Sequence, residues 1–121
     1  MKNFILIIFG LLMSTTVFSQ VEEKIVEKGN TIEATFWVNG NCEMCKKRIE
    51  KALDLPGVKM ADYTAESQTL FIAFNKKKID LEAIHEAIAA AGHDTKKVSA
   101  PDSVYNKLHH CCMYDRNTEK D

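Results

Sequence analysis

An excess of either charge is absent from this sequence. Its 121 residues include 16 Lys or Arg and 17 Asp or Glu, so the formal net charge is −1. Proteins that bind nucleic acid or anionic membranes usually carry a basic excess, and neither kind of partner is expected here. Internal repeats and low-complexity segments are also lacking, and the length suits one small domain.

Long apolar runs are almost as scarce. The one continuous run covers residues 4–13, which is shorter than the roughly 20 residues that a membrane-spanning helix needs. Lys2 precedes it and a polar segment follows, which is typical of a signal peptide over residues 1–19, cleaved after Ser19. We therefore expect a soluble protein in the periplasm or another extracytoplasmic compartment, without stable membrane insertion after cleavage. A retained anchor is the alternative.

Cysteine is limited to four residues, which form one close pair, Cys42 and Cys45, and one adjacent pair, Cys111 and Cys112. Small exported domains held by disulfides usually distribute their cysteines across the fold, so this spacing argues for another use. Cys42 and Cys45 lie where a strand pattern gives way to a helix pattern, and the start of a helix favours thiolate over thiol. Thiolates select Cu(I), Zn(II) and similar ions, although the same spacing also suits a redox disulfide.

Apolar periodicity predicts six elements in the order strand, helix, strand, strand, helix, strand. They cover residues 31–38, 44–54, 58–65, 68–74, 81–91 and 93–99. This order is typical of an α+β, ferredoxin-like fold, in which a four-stranded antiparallel sheet carries two helices on one face. We expect a flexible lead-in over residues 20–30, the domain over residues 31–99 and a Cys- and His-containing tail over residues 100–121.

Residues 31–99 resemble a heavy-metal-associated domain, the fold of small copper chaperones, of metal-binding domains in copper-pumping ATPases and of the periplasmic mercury-binding protein. The resemblance rests on Cys42-x-x-Cys45 after a strand and on three further motifs at residues 47–50, 55–58 and 91–92. Two positions depart from the family pattern. Gly40 stands where the family commonly has Met, and His93 stands where it often has Tyr.

The resemblance implies a metal-binding protein and not an enzyme. It would capture a thiophilic ion through Cys42 and Cys45, with Cu(I) favoured and Hg(II) or Zn(II) as alternatives. A monomer would then transfer the ion to a metal-transporting membrane protein or another metal-binding domain. The alternative from another class is a small thiol-disulfide oxidoreductase. Such enzymes normally have aromatic, Gly and Pro residues around the thiols, whereas Glu43 and Met44 lie between them here.

Five further side chains are candidate metal ligands: His93, His109, His110, Cys111 and Cys112. His93 is a candidate third ligand, because imidazole suits copper and zinc, and a solvent-exposed loop histidine is the alternative. The tail run from His109 to Cys112 is dense in soft and borderline ligands. It would hold a second ion or fold back over the first, and a vicinal disulfide or a disordered tail are the alternatives.

Overall fold

The structure, a computed structural model, describes residues 23–116, so the predicted signal peptide lies outside the described residues. The elements are β1 (Lys24–Lys28), β2 (Thr31–Trp37), α1 (Glu43–Ala52), β3 (Val58–Thr64), β4 (Thr69–Asn75), α2 (Leu81–Ala90) and α3 (Asp102–Tyr105), followed by a 3₁₀ turn (His110–Cys112). None of the helices in residues 23–116 has the length and the hydropathy needed to cross a membrane.

One antiparallel sheet in the order β1-β2-β4-β3 carries the fold. Strand residues alternate between its two faces, and the register places Ala34 opposite Ile72 and Phe36 opposite Leu70 on the inner face. Helices α1 and α2 supply buried residues to the same core, which contains Ile49, Leu53, Ile84 and Ile88 together with the inner-face residues of the strands. The predicted α+β, ferredoxin-like class is confirmed.

The fourth strand of the sheet is not the predicted one. β1 occupies the edge beside β2, within residues for which the sequence predicted a flexible lead-in. Gly29 and Asn30 form a two-residue hairpin loop between paired Lys28 and Thr31, and Gly29 has φ +61°. A glycine with positive φ at the first loop position is what a type II′ hairpin requires, so the tight turn returns β1 directly onto β2.

The predicted final strand over residues 93–99 shrinks to a single bridge between Val38 and Thr95. The chain turns immediately afterwards, because the Thr95 hydroxyl accepts hydrogen bonds from the amides of Lys97 and Val98. A full strand over residues 93–99 would run away from the Cys42 loop and would carry the tail to the far end of the sheet, and this consequence of the predicted strand is therefore wrong. The tail starts beside the loop that carries Cys42.

The sequence predicts two local features, an N-cap at Asp80 and a bulge in the strand that begins at Val58, where the alternation of apolar residues changes phase, and both are confirmed. The Asp80 side chain caps α2 by accepting from the Ala83 amide at 2.8 Å. β3 has a bulge between Val58 and Met60. As an apolar residue Met60 is most simply expected in the core. It is instead 58% exposed, because the bulge changes which side chains face inward.

Candidate metal centre

The loop between β2 and α1 presents the first cysteine at the start of the helix. Cys42 is the N-cap residue of α1, and its carbonyl accepts the first helical hydrogen bond from the Lys46 amide at 3.1 Å. Cys45 lies in the first turn and is fully buried, whereas Cys42 is half-buried. The helix therefore turns one sulfur towards the interior and leaves the other partly accessible.

Side chains beneath this loop hold it in place. The Gln68 amide donates to the Gly40 carbonyl at 2.7 Å and to Asn39 Oδ1 at 3.1 Å. The buried Tyr63 hydroxyl donates to the Val38 carbonyl at 2.8 Å. A Cβ at Gly40 would lie 2.7 Å from that hydroxyl, so this loop has no room for the Met that the family commonly has there.

The loop after α2 binds the cysteine loop through its backbone. The Asn39 amide donates to the Asp94 carbonyl at 2.8 Å, and His93 Nδ1 contacts the Asn39 carbonyl at 2.9 Å. A carbonyl only accepts, so Nδ1 carries the proton and His93 Nε2 is an unprotonated acceptor. Burial lowers the pKa of His93, with a further contribution from nearby Arg48, and the ring is neutral.

The tail packs onto this second loop through Leu108 and Tyr114. A Cβ at Gly92 would lie 2.9 Å from Leu108 Cδ2, so the tail lies directly on the glycine that ends α2. The Tyr114 hydroxyl donates to the Gly92 carbonyl at 2.7 Å and accepts from the Asp94 amide at 3.0 Å. Tyr114 is 2% exposed, and its ring stacks on that of His93.

A partly buried ion pair completes the attachment of the tail. Arg116 donates two hydrogen bonds to the carboxylate of Asp94, at 2.9 and 3.0 Å, and one to Asp102 at 2.7 Å. Asp94 is 1% exposed, and a bidentate pair is the strongest geometry for such a contact. The guanidinium also lies 4.6 Å from the centre of the Tyr105 ring. These contacts hold the tail against the loop that follows α2.

These contacts bring a third sulfur to the cysteine loop. Cys42 Sγ lies 3.4 Å from Cys45 Sγ and 3.5 Å from Cys112 Sγ, and all three sulfurs lie within 4.8 Å of one another. Three sulfurs bound to one ion by bonds of about 2.3 Å are roughly 4 Å apart, so the spacing fits a single thiophilic ion. We call these three side chains the inner cluster.

The thiols of the inner cluster differ in acidity. Burial raises the pKa of Cys42, but the backbone amide of Cys45, the side chains of Cys45 and Cys112 and the backbone amide of Met44 together outweigh it and lower that pKa to about 7. Burial raises the pKa of Cys45. Burial and the two neighbouring thiols raise the pKa of Cys112 to about 11, although the Arg48 side chain acts in the opposite direction. At neutral pH Cys42 is therefore partly thiolate, whereas Cys45 and Cys112 are thiols.

The other candidate ligands lie outside the inner cluster. His93 is buried and not solvent-exposed, and within residues 23–116 its Nε2 has no hydrogen-bond partner. His109 and His110 are exposed. Cys111 is exposed, and its thiol donates to Met44 Sδ at 3.2 Å. Metal binding by these four side chains stays a prediction.

Two contributors to the site were missed in the sequence. Tyr114 and Arg116 anchor the tail, and the only signal for them was their position directly after the Cys111-Cys112 pair. Arg48, by contrast, is one of the basic residues of α1 that flank the cysteines and are expected to favour thiolate, and its side chain lowers the pKa of Cys112 from across the interface with the tail. No periodicity reveals a contact between residues 64 positions apart.

Comparison with known proteins identifies a family for the central part of the chain. A family model described as heavy-metal-associated domain matches residues 35–94. The copper chaperone CopZ of Staphylococcus saprophyticus is 34% identical over 64 residues, which are 51% of this chain and 94% of that protein. The chain belongs to the heavy-metal-associated domain family. The predicted family is thus confirmed, and Cys112 lies beyond the matched residues.

Solved structures of this family have the same fold. A CopZ metallochaperone is 28% identical with a TM-score of 0.50, covering 52% of this chain and 97% of that one. The N-terminal domain of a potential copper-translocating P-type ATPase from Bacillus subtilis, determined in a Cu(I)-loaded state, is 30% identical with a TM-score of 0.51. It covers 53% of this chain and 82% of that one.

Proposed function

We propose that this heavy-metal-associated domain protein captures Cu(I) through Cys42, Cys45 and Cys112 and passes it to an acceptor. The observation that carries the proposal is the convergence of three sulfurs, one of them supplied by the tail. Thiolates are soft ligands that favour Cu(I). Structural Zn(II) sites take four ligands, and within the described residues the inner cluster offers three. The names of the relatives, a copper chaperone and a copper-translocating ATPase, support the same ion.

The accessibility of the sulfurs suits transfer more than storage or catalysis. Cys45 and Cys112 are buried, while Cys42 is half-buried. A thiolate of a metal-transporting membrane protein, or of another metal-binding domain, would approach the ion beside Cys42. It would form a new metal–sulfur bond as one to this protein breaks, and copper would remain Cu(I) throughout. The protein would act as a carrier and not as an enzyme.

Affinity for Cu(I) is expected to rise with pH between 6 and 8. Metal binding requires thiolates, and the pKa values of Cys45 and Cys112 are raised, so their protons must leave when the ion binds. For each proton that binding releases, the affinity for Cu(I) rises by up to about tenfold per pH unit. Competition with a colorimetric Cu(I) chelator at several pH values, under anaerobic conditions, measures this dependence.

Two controls accompany that titration. Zn(II) and Hg(II) are offered to the Cu(I)-loaded protein, and retention of Cu(I) against a moderate excess of Zn(II) is the expected result. The metal-free protein is also tested with a disulfide substrate. Rapid turnover that depends on Cys42, together with weak Cu(I) binding, would contradict the proposal and favour the thiol-disulfide oxidoreductase.

We propose further that the protein works outside the cytoplasm after removal of residues 1–19. The support is the pattern of Lys2, the apolar run and the polar segment over residues 14–20, which contains a cleavage site ending at Ser19. The natively expressed protein is expected to begin at Gln20 and to fractionate as soluble, which mass spectrometry of each cell fraction measures. An intact N-terminus in the membrane fraction would identify a retained anchor instead.

A further inference from the structure

A second pair of soft side chains lies at the surface beside the inner cluster. The Cys111 thiol contacts Met44 Sδ at 3.2 Å. Cys111 is exposed and Met44 is 42% exposed. An exposed methionine in the first turn of a helix adds nothing to the core, and the buried residues of α1 are Cys45 and Ile49. Thioether and thiolate together are a ligand set that favours Cu(I).

The chain connects this pair closely to the inner cluster. Met44 lies between Cys42 and Cys45 in sequence, and Cys111 directly precedes Cys112. Cys111 Sγ lies 3.9 Å from Cys112 Sγ, so Cys112 contacts the sulfurs of both groups. The contacts that anchor Tyr114 and Arg116 to the second loop fix Cys111 and Cys112 alike.

We propose that Met44 and Cys111 form a second, outer Cu(I) site, with Cys112 as the sulfur it shares with the inner cluster. This inference rests on the proposed function, since the inner cluster is the first site to fill. A Cu(I) ion at the outer site bonds to Cys111 Sγ and Met44 Sδ and shares Cys112 Sγ with the ion of the inner cluster, and the Cys111 proton leaves to solvent. No electron is transferred. The outer site offers an acceptor protein a metal ion at the surface.

The outer site predicts a second, weaker Cu(I) equivalent in the full chain. Anaerobic titration against a chelator series should show two ions per protein. Met44→Leu and Cys111→Ser should each remove the second equivalent and leave the affinity of the first within about threefold. Both side chains are exposed, so neither replacement opens a cavity in the core. Met60→Leu is the matched control, because Met60 is an exposed methionine on β3, and it should bind both ions.

Alkylation distinguishes the two sites directly. After one equivalent of Cu(I), iodoacetamide should still modify Cys111 but not the inner cluster, and after two equivalents Cys111 should be protected as well. A second equivalent that persists in the Met44→Leu/Cys111→Ser protein, or Cys111 that is still alkylated at saturation, would overturn the outer site. If the proposed function itself were wrong, the alkylation result would differ, because the first equivalent of Cu(I) would leave Cys42 and Cys45 unprotected from iodoacetamide.

Discussion

Replacing Cys42 or Cys45 by serine is expected to abolish tight Cu(I) binding while the domain stays folded. Each replacement removes one of three sulfurs, and a hydroxyl is a poor ligand for a soft ion. We expect affinity to fall by about 100-fold or more, which corresponds to roughly 3 kcal/mol. Chelator competition measures the loss, and circular dichroism with denaturant unfolding confirms the fold.

The structure explains why folding survives these replacements. All four cysteines are free thiols, so none closes a disulfide loop. Serine at position 45 keeps a donor for Asn41 Oδ1, which the Cys45 thiol contacts at 3.4 Å. Cys111→Ser is the control, because Cys111 lies outside the inner cluster, and its first Cu(I) equivalent should be unaffected. Unchanged affinity in both the Cys42→Ser and Cys45→Ser proteins would remove this pair from the site.

The central part of the fold was predictable because its signals are local. Residues Ile32, Ala34 and Phe36 alternate along one strand, and Asp80 with Gly92 marks the ends of a helix. The resemblance of residues 31–99 to a known family predicted how these elements pack. The helix start predicted lowered thiol pKa values at Cys42 and Cys45. The structure agrees for Cys42, whereas burial raises the pKa of Cys45.

The edge strand was also within reach of the sequence and was nevertheless missed. Residues 24–28 are mostly charged and suggested a lead-in, yet Gly29-Asn30 before an alternating strand is a hairpin signal. The predicted final strand failed for a different reason. The edge beside β2 has room for one partner along most of its length, and β1 pairs with Thr31–Thr35 there. Such competition between distant segments leaves no trace in local periodicity.

The sequence did not predict which residue of the tail joins the site. Its composition identified four candidate ligands, but composition alone does not rank them. Cys112 joins the inner cluster because Tyr114 binds the loop at Gly92 and Arg116 binds Asp94. These are long-range contacts between polar atoms, which have no periodic signature. Cys111 and Cys112 are adjacent in the chain, yet Cys111 is exposed and Cys112 is buried.

Truncation after Ser103 is expected to weaken Cu(I) binding and to destabilise the domain without unfolding it. The buried apolar core lies within residues 34–88, so its packing does not depend on the tail. Removing the tail nevertheless deletes buried Tyr114 and the Arg116–Asp94 pair. Loss of one large buried aromatic side chain alone costs about 3 kcal/mol or more. Denaturant unfolding of the metal-free protein measures this change.

Cys112→Ser separates the ligand from the anchor. It keeps Tyr114 and Arg116, so the free energy of unfolding should fall by no more than about 1 kcal/mol. Its Cu(I) affinity should nevertheless drop by about tenfold or more, as in the truncated protein, because both lack the third sulfur. If truncation weakened binding and Cys112→Ser did not, the tail would act only by holding the second loop in place. If neither change altered affinity, Cys42 and Cys45 would bind the ion without the tail.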